Sequence, residues 1–240
     1  GVIMALIMAR AFRGRGIVRA SILVPWAIPT IVSAMMWKLI FNTGGVANKV
    51  LGLTENPILW LADNSYSQAA IIAADVWKTA PFIGLLTLAG LQTIPAEVYE
   101  AAKVDGANAW QTFTRITLPM VKPALVVAVL FRTLDTLRMF DLPYGMIGPN
   151  KYSVETLSMF AYQEASQTRY GQAAAYSIVL FFYIVLVAFL FVKLLGADVI
   201  GDEELKAVNA QRKRMRELHR KQAKAAGAVR TTITSGGSSS

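Results

Sequence analysis

The sequence has no cysteine, which excludes a disulfide scaffold, a thiolate metal site and a redox-active thiol. Histidine occurs once, as His219, and this leaves little basis for a histidine-ligated metal centre. Charge is also scarce, because Asp, Glu, Lys and Arg make up 16% of the 240 residues, against about 25% in soluble domains. Apolar residues make up 55%. This composition excludes a disordered chain and indicates a protein of the lipid bilayer.

The apolar residues occur in blocks, and a block of about 20 mostly apolar residues is long enough to cross a membrane as a helix. We predict an all-α, polytopic membrane protein with four complete spans and the end of an earlier one. The four predicted spans are 17–41, 67–91, 121–142 and 172–195. Residues 2–9 are apolar but too few to cross. Because the sequence opens inside this run with Gly1, we interpret it as the end of a span whose beginning is absent.

The net charge of +9 requires an explanation, because a basic balance suits nucleic acid, an anionic membrane surface or the cytoplasmic loops of a membrane protein. Basic residues are concentrated before the first complete span, in the loop 92–122 and after Leu195, whereas the loops 42–66 and 143–171 carry few. This alternation follows the positive-inside rule and places the basic segments, including the C-terminus, in the cytoplasm. The charge is therefore a topology signal, and we expect no nucleic-acid partner.

Prolines interrupt the predicted spans, with Pro25 and Pro29 in the first complete span and Pro81 in the second. Each proline removes a backbone hydrogen bond and kinks a helix. Neighbouring helices or water must then satisfy the freed backbone groups, because lipid offers no partner. Two interpretations stay open at this point: curved helices that simply pack together, or helices that line a cavity.

The cytoplasmic segment 92–120 is the most informative stretch. Pro95 suits the first turn of a helix that Thr93 can cap, and Gly106 permits a turn that a Cβ would resist. A second short helix is expected to follow and to end at Pro119. One face of this second helix is formed by Trp110, Phe113 and Thr117. The helix–turn–helix is either a docking element for another protein or an amphipathic loop that packs on its own spans.

Ionisable side chains inside a span usually face a cavity or a partner, because each costs about 3 kcal/mol on insertion scales. Arg132 and Asp135 lie three residues apart on one predicted helix, and Arg138 follows at the same interval, as do Asp75 and Lys78. These groups either pair internally or contact a second subunit, or they form a polar lining for a ligand. A sugar suits a lining that mixes polar groups with flat apolar faces. The candidate substrate-pathway residues are Thr79, Phe82, Arg132, Thr133 and Asp135.

The segment 100–123 resembles the EAA loop of permease subunits in binding-protein-dependent ABC importers. The matching residues are Glu100, Ala101, Ala102, Asp105, Gly106, Ala107, Phe113, Ile116, Leu118, Pro119 and Pro123. Upstream, the chain is similar to the carbohydrate branch of this family, which includes maltose and glycerol-phosphate permeases. The likeness is carried by 12–16, 23–29, Trp37, Asn48, Trp60, Leu61, Trp77, Pro81, Phe82, 88–91, Ile94 and Pro95.

The resemblance implies a type I ABC importer permease fold over residues 1–195 and a basic cytoplasmic tail over 196–240, whose end we expect to be disordered. It implies a non-catalytic subunit with no metal site. The sequence contains no Gly-Lys pair and hence no phosphate-binding loop, so ATP and Mg²⁺ are expected on a partner ATPase and no cofactor on this chain. The implied partners are a second homologous permease, two ABC ATPase subunits, an extracytoplasmic sugar-binding protein and the lipid bilayer. The implied location is the bacterial cytoplasmic membrane.

The resemblance also implies roles for particular residues. Glu100 would pair with a basic side chain of the ATPase, and Gly106 would form the turn of the docking loop. The implied ATPase-docking residues are Glu100, Ala101, Ala102, Asp105, Gly106 and Ala107. In maltose-type relatives, positions that match Thr79 and Phe82 and polar residues near Thr133 lie in the sugar site, although a tyrosine is expected where Phe82 stands.

The expected function is therefore ATP-driven import of a sugar, a disaccharide such as trehalose or maltose. Two alternatives stay open. The first is an ABC permease for another solute such as glycerol phosphate, which Arg132 would suit because of its positive charge. The second is a channel or scaffold that works without ATP. Trp26 and Trp77 offer either stacking surfaces for a sugar or ordinary packing within a span.

Overall fold

The computed structural model describes residues 1–10 and 13–196, and within these ranges the chain forms eleven α-helices and two π-helical turns, with no β-strand. The predicted tail after Gly196 lies outside the described residues. Residues Gly1–Phe191 form one compact unit, and the π-helical turn Val192–Gly196 belongs to a second. The α-helices are α1 Val2–Ala9, α2 Arg15–Ala27, α3 Thr30–Ile40, α4 Val46–Val50, α5 Asn64–Gln92, α6 Ala96–Val104, α7 Ala109–Thr112, α8 Leu118–Leu137, α9 Asp141–Met146, α10 Leu157–Ser166 and α11 Tyr170–Phe191.

Three segments are long and apolar enough to cross a membrane: Asn64–Gln92, Ala109–Leu137 and Tyr170–Leu194. A fourth candidate consists of α2 and α3 together, which are bent by 91° at the break between them. The predicted all-α class is confirmed for the described residues. The predicted number of four complete spans stays a prediction, because the bent pair forms either one broken span or a re-entrant loop.

The expected continuous span 17–41 is instead broken at Ile28 and Pro29. Ile28 is extended, with φ −69° and ψ 134°, because the ring of the following proline disfavours the helical conformation of the residue before it. The carbonyl freed at the break accepts a hydrogen bond from Nζ of Lys78 on α5, at 2.5 Å. Pro25, by contrast, lies inside α2 without ending it. A neighbouring helix therefore satisfies the broken backbone, as an apolar environment requires.

Pro119 does not end a helix, contrary to the expectation from sequence. A π-helical turn, Phe113–Thr117, joins α7 to α8, and Pro119 occupies the first turn of α8. In an α-helix the proline ring would clash with the carbonyl four residues before it. We attribute the continuity to the π-helical hydrogen bonds, which reach one residue further and widen the backbone just before the proline. The second part of the segment 92–120 therefore runs directly into the span Ala109–Leu137.

Small residues allow the helices to approach closely. A Cβ added at Gly90 of α5 would lie 2.5 Å from Cβ of Ala124 on α8, and one added at Gly145 of α9 would lie 2.7 Å from Cβ of Ala34 on α3. Interfaces of this kind are typical of helix packing in membranes, where van der Waals contact replaces the hydrophobic effect. A cluster of buried apolar residues packs α3, α5 and α9 together with the flanking loops: Ala34, Phe41, Ala70, Ile71, Ala74, Leu142, Met146 and Val154.

Asn48 organises the loop between α3 and α5. Its side chain is 1% exposed, and its amide nitrogen donates to the carbonyl oxygens of Thr43, at 2.9 Å, and Ile58, at 3.0 Å. Its oxygen Oδ1 accepts from the backbone N–H of Ile58, at 3.2 Å, and from Nε1 of Trp60, at 2.9 Å. One side chain thus replaces the regular hydrogen bonding that this loop lacks.

Replacing Asn48 with alanine is expected to destabilise the protein by about 2–3 kcal/mol, because several buried polar groups lose their partner at once. Thermal unfolding of the purified protein in detergent measures the loss. Asn42→Ala is the matched control, since Asn42 is exposed and, among the described residues, its side chain accepts one weak bond, from the N–H of Gly44 at 3.3 Å. Equal unfolding temperatures for the two variants would contradict the role assigned to Asn48.

Candidate functional site

The candidate coupling loop begins at Pro95, which is the N-cap of α6. Thr93 does not cap this helix, contrary to expectation, because its hydroxyl donates to the carbonyl of Gly90 at 2.8 Å and so belongs to the end of α5. Proline has no side-chain acceptor for the first N–H groups of α6. The favourable group near this N-terminus is Glu97, whose negative charge in the first turn suits the helix dipole.

The turn after α6 is a Schellman motif. Gly106 has φ +73°, a left-handed conformation that glycine adopts without a steric penalty. The N–H of Ala107 donates to the carbonyl of Ala102 at 2.9 Å, and the N–H of Gly106 donates to that of Lys103 at 3.1 Å. Asn108 then opens α7 through a capping box with Gln111. The predicted helix–turn–helix is confirmed, and Gly106 forms its turn as expected.

The structure places most of the implied docking residues at the surface. Glu100, Ala101, Asp105 and Gly106 are exposed, and Ala107 is partly so. Ala102 is the exception, since it is only 4% exposed and faces the interior. Two apolar residues outside the implied docking set are strongly exposed on the same loop, Val104 at 87% and Trp110 at 72%. An exposed apolar surface rimmed by carboxylates is typical of a protein interface.

A cluster of ionised side chains lies between α5 and α8. Arg132 forms ion pairs with Asp75 on α5 and, at 2.6 Å, with Asp135 on its own helix. Asp135 also pairs with Arg138 at 3.3 Å. The spacing in sequence suggested instead that Asp75 would pair with Lys78, but Lys78 donates to the broken backbone at Ile28. The pair between Asp75 and Arg132 crosses two helices, and no local spacing reveals it.

An aromatic face lies beside this cluster. The rings of Trp26 and Phe82 are stacked, with centroids 6.0 Å apart and planes inclined by 17°. Thr79, one turn from Asp75, donates its hydroxyl to the carbonyl of Asp75 at 2.7 Å, and its oxygen remains able to accept. Thr133 donates in the same way to the carbonyl of Val129, at 2.8 Å.

Two neighbouring cavities of about 240 Å³ each meet at the charge cluster. Thr79, Arg132, Asp135 and Arg138 line both of them. The first extends toward the break after α2 and toward α9, and it adds Thr30, Asp75, Lys78, Met139, Phe140, Asp141 and Leu142. The second extends along the aromatic face and adds Trp26, Phe82 and Phe131. Four of the five predicted pathway residues thus lie together, whereas Thr133 lines neither cavity.

The charges around the first cavity are balanced. Its lining contains three cations and three carboxylates, namely Lys78, Arg132, Arg138, Asp75, Asp135 and Asp141. The guanidinium of Arg132 is satisfied by two carboxylates, so it has little uncompensated charge to offer a ligand. Such a site presents many hydrogen-bonding groups without a strong net field, which suits a neutral polar ligand.

The loops at the opposite end from α6 are tied together by Lys151. Its ammonium donates to the carbonyls of Leu61, at 2.8 Å, and Asp63, at 3.0 Å, and so joins the loop after α9 to the loop before α5. Burial lowers the pKa of Lys151, and the nearby carboxylate of Asp63 partly offsets this effect. Gln68 makes a further link to the carbonyl of Ser153 at 2.8 Å.

Residues 1–200 match the sequence profile of the binding-protein-dependent transport system inner membrane component family. The chain belongs to this family. The permease is 45% identical over 184 residues to the trehalose/maltose transport system permease protein MalF of Thermococcus litoralis, covering 75% of this chain and 62% of MalF. It is 38% identical over 205 residues to the trehalose transport system permease protein SugA of Mycobacterium tuberculosis, covering 85% of this chain and 66% of SugA. The permease thus spans somewhat less than two thirds of these relatives.

The fold of this permease resembles that of a chain in the crystal structure of a bacterial alginate ABC transporter in complex with an alginate pentasaccharide-bound periplasmic protein. The TM-score is 0.71 at 25% sequence identity, over 79% of this permease and 68% of that chain. The predicted family and the predicted permease fold are therefore confirmed.

Proposed function

We propose that this permease is one transmembrane subunit of an ATP-driven importer for a disaccharide such as trehalose or maltose. The observation that carries the proposal is the pair of cavities in which a stacked aromatic face adjoins hydrogen-bonding groups. Trp26 and Phe82 present a flat apolar surface, and Thr79 and Asp135 present oxygens near it. Sugars combine apolar ring faces with hydroxyl groups, so they match both parts of this lining. The names of the two relatives point to the same class of substrate.

The subunit works in a complex. A second homologous permease supplies the other half of the pathway, and an extracytoplasmic sugar-binding protein delivers the substrate. Two ABC ATPase subunits bind ATP and Mg²⁺, and the permease contributes no catalytic residue. The exposed loop around Glu100 and Gly106 docks on one ATPase, with Trp110 as its apolar anchor. The basic loop 92–122 and the tail lie in the cytoplasm of the bacterial cell, following the positive-inside rule.

The two alternative functions are less well supported. A glycerol-phosphate site requires a cation that is free to bind the phosphate, whereas Arg132 is already paired with Asp75 and Asp135, and Arg138 with Asp135. A channel or scaffold that works without ATP has no need for an exposed docking loop built on a Schellman turn and a capping box. Both features hold the loop in one conformation, and a loop of fixed conformation suits repeated binding to an ATPase that moves.

The experiment is ATP hydrolysis by the complete complex in lipid nanodiscs, with its binding protein and a panel of trehalose, maltose and glycerol 3-phosphate. One disaccharide is expected to stimulate hydrolysis several-fold, while glycerol 3-phosphate leaves it unchanged. Stimulation by glycerol 3-phosphate alone would replace the proposed substrate class. Absence of any ATPase from a well-folded preparation would contradict the importer itself and favour a channel.

A further inference from the structure

We propose that the permease binds the phosphate headgroup of an anionic phospholipid in a basic cavity between its first two helices and the coupling loop. The cavity has a volume of about 790 Å³ and is distinct from the two cavities at the charge cluster. Residues from α1, α2, the end of α5, α6 and the π-helical turn all contribute to its lining. The inference rests on the membrane location of the family and not on the proposed sugar.

The charge of this cavity is of one sign. Arg10, Arg15, Arg19 and Lys103 line it, and none of the described residues in the lining is a carboxylate. Arg19 is partly used, since its Nε and Nη2 donate to the carbonyl of Met8 at 3.0 and 2.6 Å. Within the described ranges, none of the four forms an ion pair with Asp or Glu. In the charge cluster between α5 and α8, by contrast, Arg132 and Arg138 each form an ion pair with a carboxylate.

The remaining lining explains why the anion belongs to a lipid. Leu6 and Leu91 come from apolar helices and give the cavity an apolar wall, while Tyr99, Thr112 and Gln92 add hydrogen-bonding groups to its lining. An amphipathic ligand satisfies both parts, with its phosphate among the cations and its glycerol backbone along the apolar walls. Basic pockets between transmembrane helices on the cytoplasmic side bind anionic headgroups in this way.

The site would link the coupling loop to the helices beside it. Lys103 lies on α6 three residues after Glu100, yet it lines the cavity whereas Glu100 does not. One surface of α6 thus remains available to a protein partner while the other contacts the lipid. A phosphate bound among Lys103, Arg10 and Arg15 would bridge α6 to α1 and α2 and hold the loop in position. Anionic lipid is therefore expected to favour a loop that is ready to dock.

The test measures lipid retained by the complete complex after reconstitution in nanodiscs of phosphatidylcholine with a minor share of phosphatidylglycerol. Mass spectrometry of the co-purified lipids gives the enrichment of phosphatidylglycerol over its bulk share. Wild-type complex should retain phosphatidylglycerol preferentially. Lys103→Gln should reduce the enrichment about fivefold and Lys103→Gln with Arg10→Gln about 25-fold, since each cation near the surface contributes about 1 kcal/mol.

Arg115→Gln is the matched control, because Arg115 is an exposed cation of the same segment that does not line the cavity. It should leave the enrichment unchanged. Lys103 is exposed, so its variant should fold, and unchanged thermal unfolding in pure phosphatidylcholine, where no anionic lipid can protect the wild type, verifies this. Equal enrichment in wild type and the double variant, or an equal loss in Arg115→Gln, would overturn the proposal. Loss of the ATPase from the double variant in pure phosphatidylcholine would also overturn the proposal, because the two cations would then bind a protein partner and not a lipid.

A second arm separates a lipid headgroup from a free anion. Inorganic phosphate is added in pure phosphatidylcholine nanodiscs, and its protection of the complex against thermal unfolding is compared with that by phosphatidylglycerol. Protection by the lipid alone, lost in the double variant, supports the proposal. Protection by phosphate of the same size shows that the site recognises the phosphate without the lipid, and overturns the lipid as its occupant. Neither readout involves sugar or ATP hydrolysis, so failure here is distinguishable from failure of the proposed function.

Discussion

Glu100→Ala should reduce ATP-driven uptake by the assembled complex at least tenfold while leaving the permease folded. Glu100 is exposed and forms no ion pair among the described residues, so its removal costs the isolated subunit little. In the complex, it would pair with a basic side chain of the ATPase. Truncating one partner of a buried charge pair at an interface costs about 2–5 kcal/mol. Uptake into proteoliposomes and ATPase co-purification measure the two consequences.

Glu97→Ala provides the comparison for this experiment. Glu97 is also exposed and lies one turn earlier on the same helix, but it does not belong to the implied docking set. Its loss removes a favourable interaction with the helix dipole of about 0.3–1 kcal/mol and should leave uptake close to that of the wild type. If both variants lost uptake equally, the effect would reflect the stability of α6 and not a specific docking contact.

Breaking the ion pair between Asp75 and Arg132 should have the second large effect. Both side chains are about one-fifth exposed, at 18% and 19%. Removing one partner of a fully buried pair costs about 3–5 kcal/mol, and partial exposure reduces this to about 2–3 kcal/mol here. Arg132→Gln should be worse than Asp75→Asn, because it leaves Asp75 without its ion-pair partner and Asp135 with only the long bond to Arg138, whereas Asp75→Asn leaves Arg132 paired with Asp135. Thermal unfolding of the complex measures both losses.

The double variant Asp75→Asn with Arg132→Gln decides what the pair contributes. Its stability should exceed that of Arg132→Gln alone, because the unpaired carboxylate that Asp75 leaves in the single variant is then removed. Uptake should nevertheless stay low, since both residues line the first cavity. Arg138→Gln is the control for stability, because its side chain is 69% exposed and its bond to Asp135 is long. Additive losses from the two single variants would show that the pair is not coupled.

Local patterns in the sequence predicted the helices well. The short apolar run 2–9 became α1 over Val2–Ala9, and the apolar block 67–91 became part of α5. The turn at Gly106 was also predictable, since a glycine between two amphipathic segments indicates a left-handed residue. Each of these depends on residues within a few positions of one another, and such information is present in the sequence itself.

The misses depended on distant contacts or on backbone geometry. The pairing of Asp75 with Arg132 joins residues 57 positions apart, so helical spacing favoured Lys78 instead. The break at Ile28 is stabilised by a lysine 50 positions away, and a kinked span was the simpler expectation. Pro119 does not end its helix because a π-helical turn precedes it, and the residue types in this segment do not predict such a turn. Sequence therefore located the candidate site and the ion pairs along α8, but not the pair that joins α5 to α8.

The π-helical turn between α7 and α8 has a mechanical consequence. It makes Ala109–Leu137 one continuous rod of 29 residues, with Trp110 at one end and the charge cluster near the other. At about 1.5 Å per residue, Arg132 lies about 33 Å from Trp110 along this helix. A tilt of about 5° about the end at Trp110 therefore displaces the charge cluster by about 3 Å. That distance equals the length of a hydrogen bond. A helix of this length therefore turns a small tilt at Trp110 into a displacement large enough to break a hydrogen bond at Arg132.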